Sequence, residues 1–124
     1  MVQGFTENVE FYMALADFFI GKPGPGSISE ALQFHLPVIV ECNAKTLPQE
    51  RNNAQWVTEN GFGIVVNNFR EIAPAVHGLL QSSTFNELRL NASTYSNRAL
   101  FEVPAILEEC AQRAAAPIQC EATV

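Results

Sequence analysis

Short apolar runs alternate along this chain with stretches whose apolar residues recur at helical spacing. Four segments, residues 2–5, 17–21, 37–41 and 62–66, read as strands. The third, Pro37-Val-Ile-Val-Glu41, is almost continuously apolar, as strands covered on both faces of a parallel sheet usually are. Asn8 stands where a helix cap belongs, ahead of Val9, Tyr12, Met13 and Ala16, which share one face over residues 9–16. A Gly/Pro-rich turn then leads into a helix at about 27–34, and a polar loop, 42–48, into another at 49–59 that Asn60-Gly61 stops. Beyond residue 66 the pattern predicts helices alone, at 69–80, 84–95 and 99–113, with 114–124 expected to be loose.

Strand-helix-strand alternation with short connections implies right-handed crossovers and a parallel sheet. The fold class is therefore α/β, a partial Rossmann-like sheet followed by C-terminal helices. At 124 residues the chain is one domain or less. Seven basic against thirteen acidic residues, a net charge of -6, leave no basic cluster for nucleic acid. Cys42, Cys110 and Cys120 are odd in number and lack a Cys-x-x-Cys spacing, which argues against a disulfide scaffold and a zinc site and fits a reducing compartment. The opening residues lack a signal-peptide pattern, and the apolar runs fall far short of a bilayer span. Asn91-Ala-Ser93 matches a glycosylation triplet, a match that chance often produces.

Chemistry concentrates in Gly21-Lys-Pro-Gly-Pro-Gly-Ser27, the turn between the second strand and the helix after it. Ligands of open parallel sheets sit beyond the carboxyl ends of the strands, at such turns. Gly24 and Gly26 can take positive φ and let a ligand approach without a Cβ in the way, while Pro23 and Pro25 stiffen the loop. Free amides of a helix beginning near Ser27 suit a diphosphate, with Lys22 and the Ser27 hydroxyl as further contacts. The bland alternative is that Gly and Pro merely turn the chain. The loop is neither a P-loop nor the Gly-x-Gly-x-x-Gly fingerprint.

Glu30 has two readings. Ser27-x-x-Glu30 has the form of a capping box, in which the acid bonds back to the cap's own amide. Alternatively Glu30 accepts hydrogen bonds from a ribose diol, as an acid after a Rossmann loop does. Pro48-Gln49-Glu50-Arg51-Asn52-Asn53 is a second polar constellation, able to satisfy several sugar hydroxyls from one helix start. On composition alone a plain polar first turn, with Thr46-x-x-Gln49 as another capping box, is the favoured reading.

Taken together, Gly4-Phe-Thr-Glu-Asn8, Gly21-Lys-Pro-Gly-Pro-Gly-Ser-Ile-Ser-Glu-Ala31, Leu36-Pro-Val38, Pro48-Gln-Glu50 and Glu59-Asn-Gly61 resemble the C-terminal domain of glycosyltransferase family 28. Within the family the pattern is similar to the monogalactosyldiacylglycerol synthases and to bacterial glycolipid synthases. The match runs in order from about residue 2 to residue 80. The resemblance implies a GT-B fold, whose second Rossmann-like domain holds the nucleotide sugar. It places Gly24, Pro25, Gly26 and Ser27 at the diphosphate, Glu30 at the ribose, and Gln49 and Glu50 at the donor hexose with Asn53 close by. It implies no metal and no cofactor, since amides and a helix dipole stabilise the leaving diphosphate. His35 departs from the pattern, standing where relatives tend to carry Gly before Leu-Pro; it reads as structural, as does His77. Cys42 reads as a small buried thiol.

The resemblance also implies what this stretch lacks. The acceptor site and catalytic base belong to an N-terminal domain, so no catalytic residue is assigned. In the strand order 3-2-1-4-5-6, the strands at 2–5 and 17–21 are third and fourth, which leaves an unpaired edge beside Phe18 and Ile20. The chain is thus expected to be a fragment. Residues 1–82 form the nucleotide-sugar-binding part, 83–113 the C-terminal helices and 114–124 the tail. The expected function is the donor-binding part of an enzyme moving a hexose from a UDP-sugar to a diacylglycerol-like lipid, cytoplasmic or peripheral to a membrane. The alternatives are a non-catalytic nucleotide-sugar-binding subunit that needs a partner chain, and a remnant that binds nothing. Neither donor hexose nor acceptor is fixed by these residues.

Overall fold

The near-continuous apolar run at 37–41 supplies the central strand of the sheet. The computed structural model describes residues 4–115. Its elements run α1 (Val9–Leu15), β1 (Phe19–Gly21), α2 (Pro25–Gln33), β2 (Val38–Glu41), α3 (Pro48–Glu59), β3 (Gly63–Val66), a 3-10 turn (Phe69–Glu71), α4 (Ile72–Leu79), α5 (Ser82–Thr94) and α6 (Ala99–Ala115). The three strands form one parallel sheet in the order β1-β2-β3, with Val38 opposite Phe19 on one side and Gly63 on the other. Gly63 is required at that pairing, because a Cβ there would lie 1.8 Å from the Val38 carbonyl oxygen.

All four residues of β2 are buried, because helices cover both faces. Val38 and Val40 pack with Ile28 and Leu32 of α2 and Ala54 and Val57 of α3. Ile39 points the other way, onto Val66, Leu79 of α4 and Leu88 of α5. Helix α5 serves both sides, since Leu88 joins the second cluster and Ala92 the first. Its Asn91 donates through Nδ2 to the Gly61 carbonyl at 3.1 Å, so the amide of the glycosylation triplet is a half-buried structural group. Helix α6 continues with Leu100, Phe101, Ile106 and Leu107 exposed. No helix of the described residues is long and apolar enough to cross a membrane.

Two helices end the same way with different residues. After α3, the Gly61 amide bonds the Thr58 carbonyl and the Phe62 amide the Val57 carbonyl, with Gly61 at φ 62°. After α2, His35 bonds Leu32 and Leu36 bonds Ala31, with His35 at φ 58°. Both are Schellman closures, which require a left-handed residue just past the cap. Glycine takes that conformation freely; histidine takes it against its Cβ.

Some expectations change. The strand foreseen at residues 2–5 is not formed at Gly4 and Phe5, where Phe5 is almost wholly exposed; Val2 and Gln3 lie outside the described residues. An extended segment needs a neighbouring strand to bond, and none lies beside it among the described residues. β1 is an edge strand, as the implied order requires, with Phe18 and Ile20 half-buried against the second cluster. The helix foreseen from Phe69 opens as a 3-10 turn capped by Asn68, whose side chain accepts from the Arg70 amide. Ala114 and Ala115 still belong to α6, and residues 116–124 of the expected tail, with Cys120, lie outside the described residues. Cys42 is half-buried against the first cluster, and Cys110 is exposed.

Candidate functional site

Helix α2 begins three residues earlier than its Ser-x-x-Glu signature suggests. Gly24 is the cap, with φ -68° and ψ 133°, and Pro25 is the first helical residue, where its fixed φ and missing N–H fit best. Ser27 is therefore inside the helix, and no side chain caps it. The capping-box reading of Glu30 falls with that. Glu30 is exposed on α2 and makes no hydrogen bond among the described residues. The expected positive φ at Gly24 and Gly26 is also absent: among the glycines of the described residues only Gly61 has it. What these positions lack is a side chain, since a Cβ on Gly26 would meet nothing within 4 Å. The first bond of the helix runs from the Ile28 amide to the Gly24 carbonyl at 3.2 Å, so the amides of Gly26 and Ser27 precede it and stay free. The result is a stiff helix start with two free donors, beside a residue whose side-chain position is open, at the carboxyl end of β1. Such a helix start is suited to anions.

Beside it lies a cleft of about 820 Å³ at the carboxyl ends of all three strands. Lys22 and Pro23 line it from the loop after β1, Glu41 and Asn43 to Leu47 from β2 and its loop, Glu50 from α3, and Asn68 from the segment after β3. The loop after β2 is shaped by its own polar groups. The Asn43 amide bonds the Thr46 hydroxyl at 2.9 Å, and the Asn43 side chain reaches the Asn67 carbonyl at 3.1 Å. Arg51 donates to the Ala44 and Thr46 carbonyls, which ties the loop to the start of α3. Thr46 is thus committed to the loop, and α3 is capped at Leu47 with Pro48 first, so the second capping box does not form either.

The structure brings some of the expected site residues together and separates others. Glu50 lines the cleft, and Gln49 is exposed at the same helix start. Asn53 sits one turn further on and donates through Nδ2 to the Pro23 carbonyl at 2.9 Å, joining α3 to the Gly-Pro loop across thirty positions of chain. Lys22 turns toward the β2 side. Its ammonium pairs with Glu41 and lies 4.7 Å from the centre of the Phe69 ring.

Glu41 is the residue that reading the chain missed. It is the buried charged residue of the core, 6% exposed, and it ends the most buried strand at the rim of the cleft. The available signal was an acid closing an otherwise apolar run at a carboxyl end. In a linear pattern it passes for the first residue of a loop.

Comparison with known proteins follows the same outline. Residues 1–109 match the glycosyltransferase family 28 C-terminal domain. A probable monogalactosyldiacylglycerol synthase 2, chloroplastic, of Oryza sativa subsp. indica is 37% identical over 106 residues, covering 82% of this chain and 22% of that protein. The chloroplastic monogalactosyldiacylglycerol synthase of Spinacia oleracea is 40% identical over 75 residues, 60% of this chain and 14% of its own length. A processive diacylglycerol beta-glucosyltransferase of Bacillus subtilis (strain 168) is 34% identical over 92 residues, 73% and 23% respectively. The chain thus spans between 14% and 23% of the length of these relatives.

Proposed function

The chain belongs to glycosyltransferase family 28 as a C-terminal domain of that family, and from that premise we propose that it holds the UDP-sugar donor of a hexosyltransferase acting on a diacylglycerol-like lipid. The observation that carries the reading is the start of α2, where two free amides stand beside the open side-chain position of Gly26, next to a polar cleft. In this reading Gly24, Pro25, Gly26 and Ser27 face the diphosphate. Glu30, released from any capping role, accepts the ribose hydroxyls. Gln49 and Glu50 meet the hexose from the start of α3, with Asn53 behind them holding the loop.

Transfer places an acceptor hydroxyl on the anomeric carbon as the bond to the β-phosphate oxygen breaks. Negative charge develops on the departing UDP, and the fixed amides of Gly26 and Ser27, with the dipole of α2, stabilise it without reorganising. In this reading the acceptor site and the base that takes its proton are assigned to a part of the protein outside this chain, which spans about a fifth of the length of two of its relatives. The whole protein is placed at a membrane surface by the same lipid acceptor.

Calorimetric titration of the chain with UDP and UDP-sugars tests the reading. Saturable UDP binding that disappears in Glu30→Ala and Gly26→Val is the expected result. A folded chain that binds no UDP refutes it. Turnover by this chain alone would contradict the assignment of the base elsewhere.

A further inference from the structure

Glu41 has a second oxygen. Its Oε2 is held by the Lys22 ammonium, and that ammonium is itself steadied over the Phe69 ring. Its Oε1 accepts no hydrogen bond among the described residues. No buried side-chain oxygen or nitrogen there is left without a partner, so Oε1 is open, onto the cleft that Glu41 lines. The carboxylate is thus fixed at one end and presented at the other.

Stability does not explain such a group. Removing a carboxylate from water costs several kcal/mol, and its partner Lys22 is an exposed side chain, so a pair screened by water on one side recovers little of that cost. The neighbours of Glu41 along the strand, Val38, Ile39 and Val40, are apolar. An oriented, ionised acceptor in a polar cleft is suited to hydroxyl groups, which donate to it strongly. The same cleft is lined by Glu50, a second acceptor.

We infer that Glu41 is a specificity-determining residue that accepts a hydrogen bond from a hydroxyl of the donor's hexose, with Lys22 as the residue that positions it. The inference rests on reading the cleft as a nucleotide-sugar site. It gives Lys22 a task distinct from direct contact with the diphosphate. UDP, which has no hexose, does not reach Glu41.

The test is titration of the full chain with UDP, UDP-glucose and UDP-galactose, for the native protein and for Glu41→Gln. The native chain is expected to bind at least one UDP-hexose more tightly than UDP. In Glu41→Gln the UDP affinity stays within about twofold, while that for the preferred UDP-hexose falls about tenfold, as loss of one hydrogen bond to a charged group implies. A variant-independent measurement accompanies it. In the native chain labelled with carbon-13, the Glu41 carboxyl resonance should move on addition of that UDP-hexose and stay in place on addition of UDP. Equal loss of UDP and UDP-hexose binding in the variant overturns the inference, because Glu41 then acts only through the Gly-Pro loop. An unmoved carboxyl resonance, or a native chain that does not distinguish UDP-hexose from UDP, overturns it as well. A native chain that fails to bind UDP overturns the donor-binding reading itself, and this inference with it.

Discussion

Gly26→Ala separates the fold's needs from the ligand's at a single atom. Gly26 is the second residue of α2, without positive φ, and a Cβ added there meets nothing within 4 Å. Nothing in the fold therefore requires glycine. Glycine in a helix costs about 0.5–1 kcal/mol relative to alanine, mainly through the freedom of the unfolded chain. The variant is expected to be more stable by roughly that amount, which for a domain of this size raises Tm by about 2–6 °C. The new methyl group stands in the open space beside the free amides of Gly26 and Ser27. If a diphosphate occupies that space, its oxygens are pushed off those donors. Hydrogen bonds to a charged group contribute about 1.5–3 kcal/mol, so UDP affinity should fall about tenfold to a hundredfold. Thermal unfolding followed by circular dichroism reads the first effect, and calorimetric titration with UDP reads the second. The signature is a protein that melts higher and binds worse. Unchanged UDP affinity refutes the placement of the diphosphate over Gly26, and a lowered Tm refutes the claim that the fold leaves that space free.

His35→Gly should relieve the left-handed strain of the α2 closure, a gain of about 0.5–1 kcal/mol once the extra freedom of an unfolded glycine is subtracted. Urea denaturation with an unchanged slope and a higher midpoint is the expected record, and an unmoved midpoint sinks the argument. Gly63→Ala forces a methyl group into the Val38 carbonyl and should abolish cooperative unfolding or cost about 3 kcal/mol or more, read by the same denaturation. Native stability in that variant would contradict the β2–β3 register. Asn91→Ala removes the donor to the Gly61 carbonyl and is expected to lower stability by about 1 kcal/mol; a loss below about 0.3 kcal/mol would show that α5 does not depend on this bond.

Much of the sheet was legible because burial leaves a period. Val38-Ile39-Val40 is apolar throughout since helices cover both its faces, and Asn60-Gly61 ends α3 where the left-handed residue is needed. The start of α2 was misplaced for a definite reason. Ser27-x-x-Glu30 satisfies a local rule, but Pro25 at the first helical position satisfies a stronger one, and only one cap can form. The strand at residues 2–5 failed because a strand is defined by its neighbour, which a local pattern cannot supply. The candidate site residues were proposed from the loop and from family likeness. Their partners were not, because Asn53 to Pro23 and Lys22 to Glu41 are pairings across thirty and nineteen positions. His35 stood out as an unusual residue, yet its φ followed only from where α2 stops.

The Asn53 bond to Pro23 has a thermodynamic meaning beyond holding a loop in place. In the proposed donor-binding reading, it makes the backbone facing one half of a nucleotide sugar and the helix facing the other half parts of a single restrained body. Whichever moiety docks first quiets the fluctuations that the second would otherwise have to suppress, so the two binding events are linked even though their contacts are separate. By reciprocity the hexose strengthens the hold on UDP by the same factor that UDP strengthens the hold on the hexose. Once the hexose has left, that factor is lost, and UDP becomes the weaker ligand. In that reading a single amide favours release of the spent nucleotide after transfer.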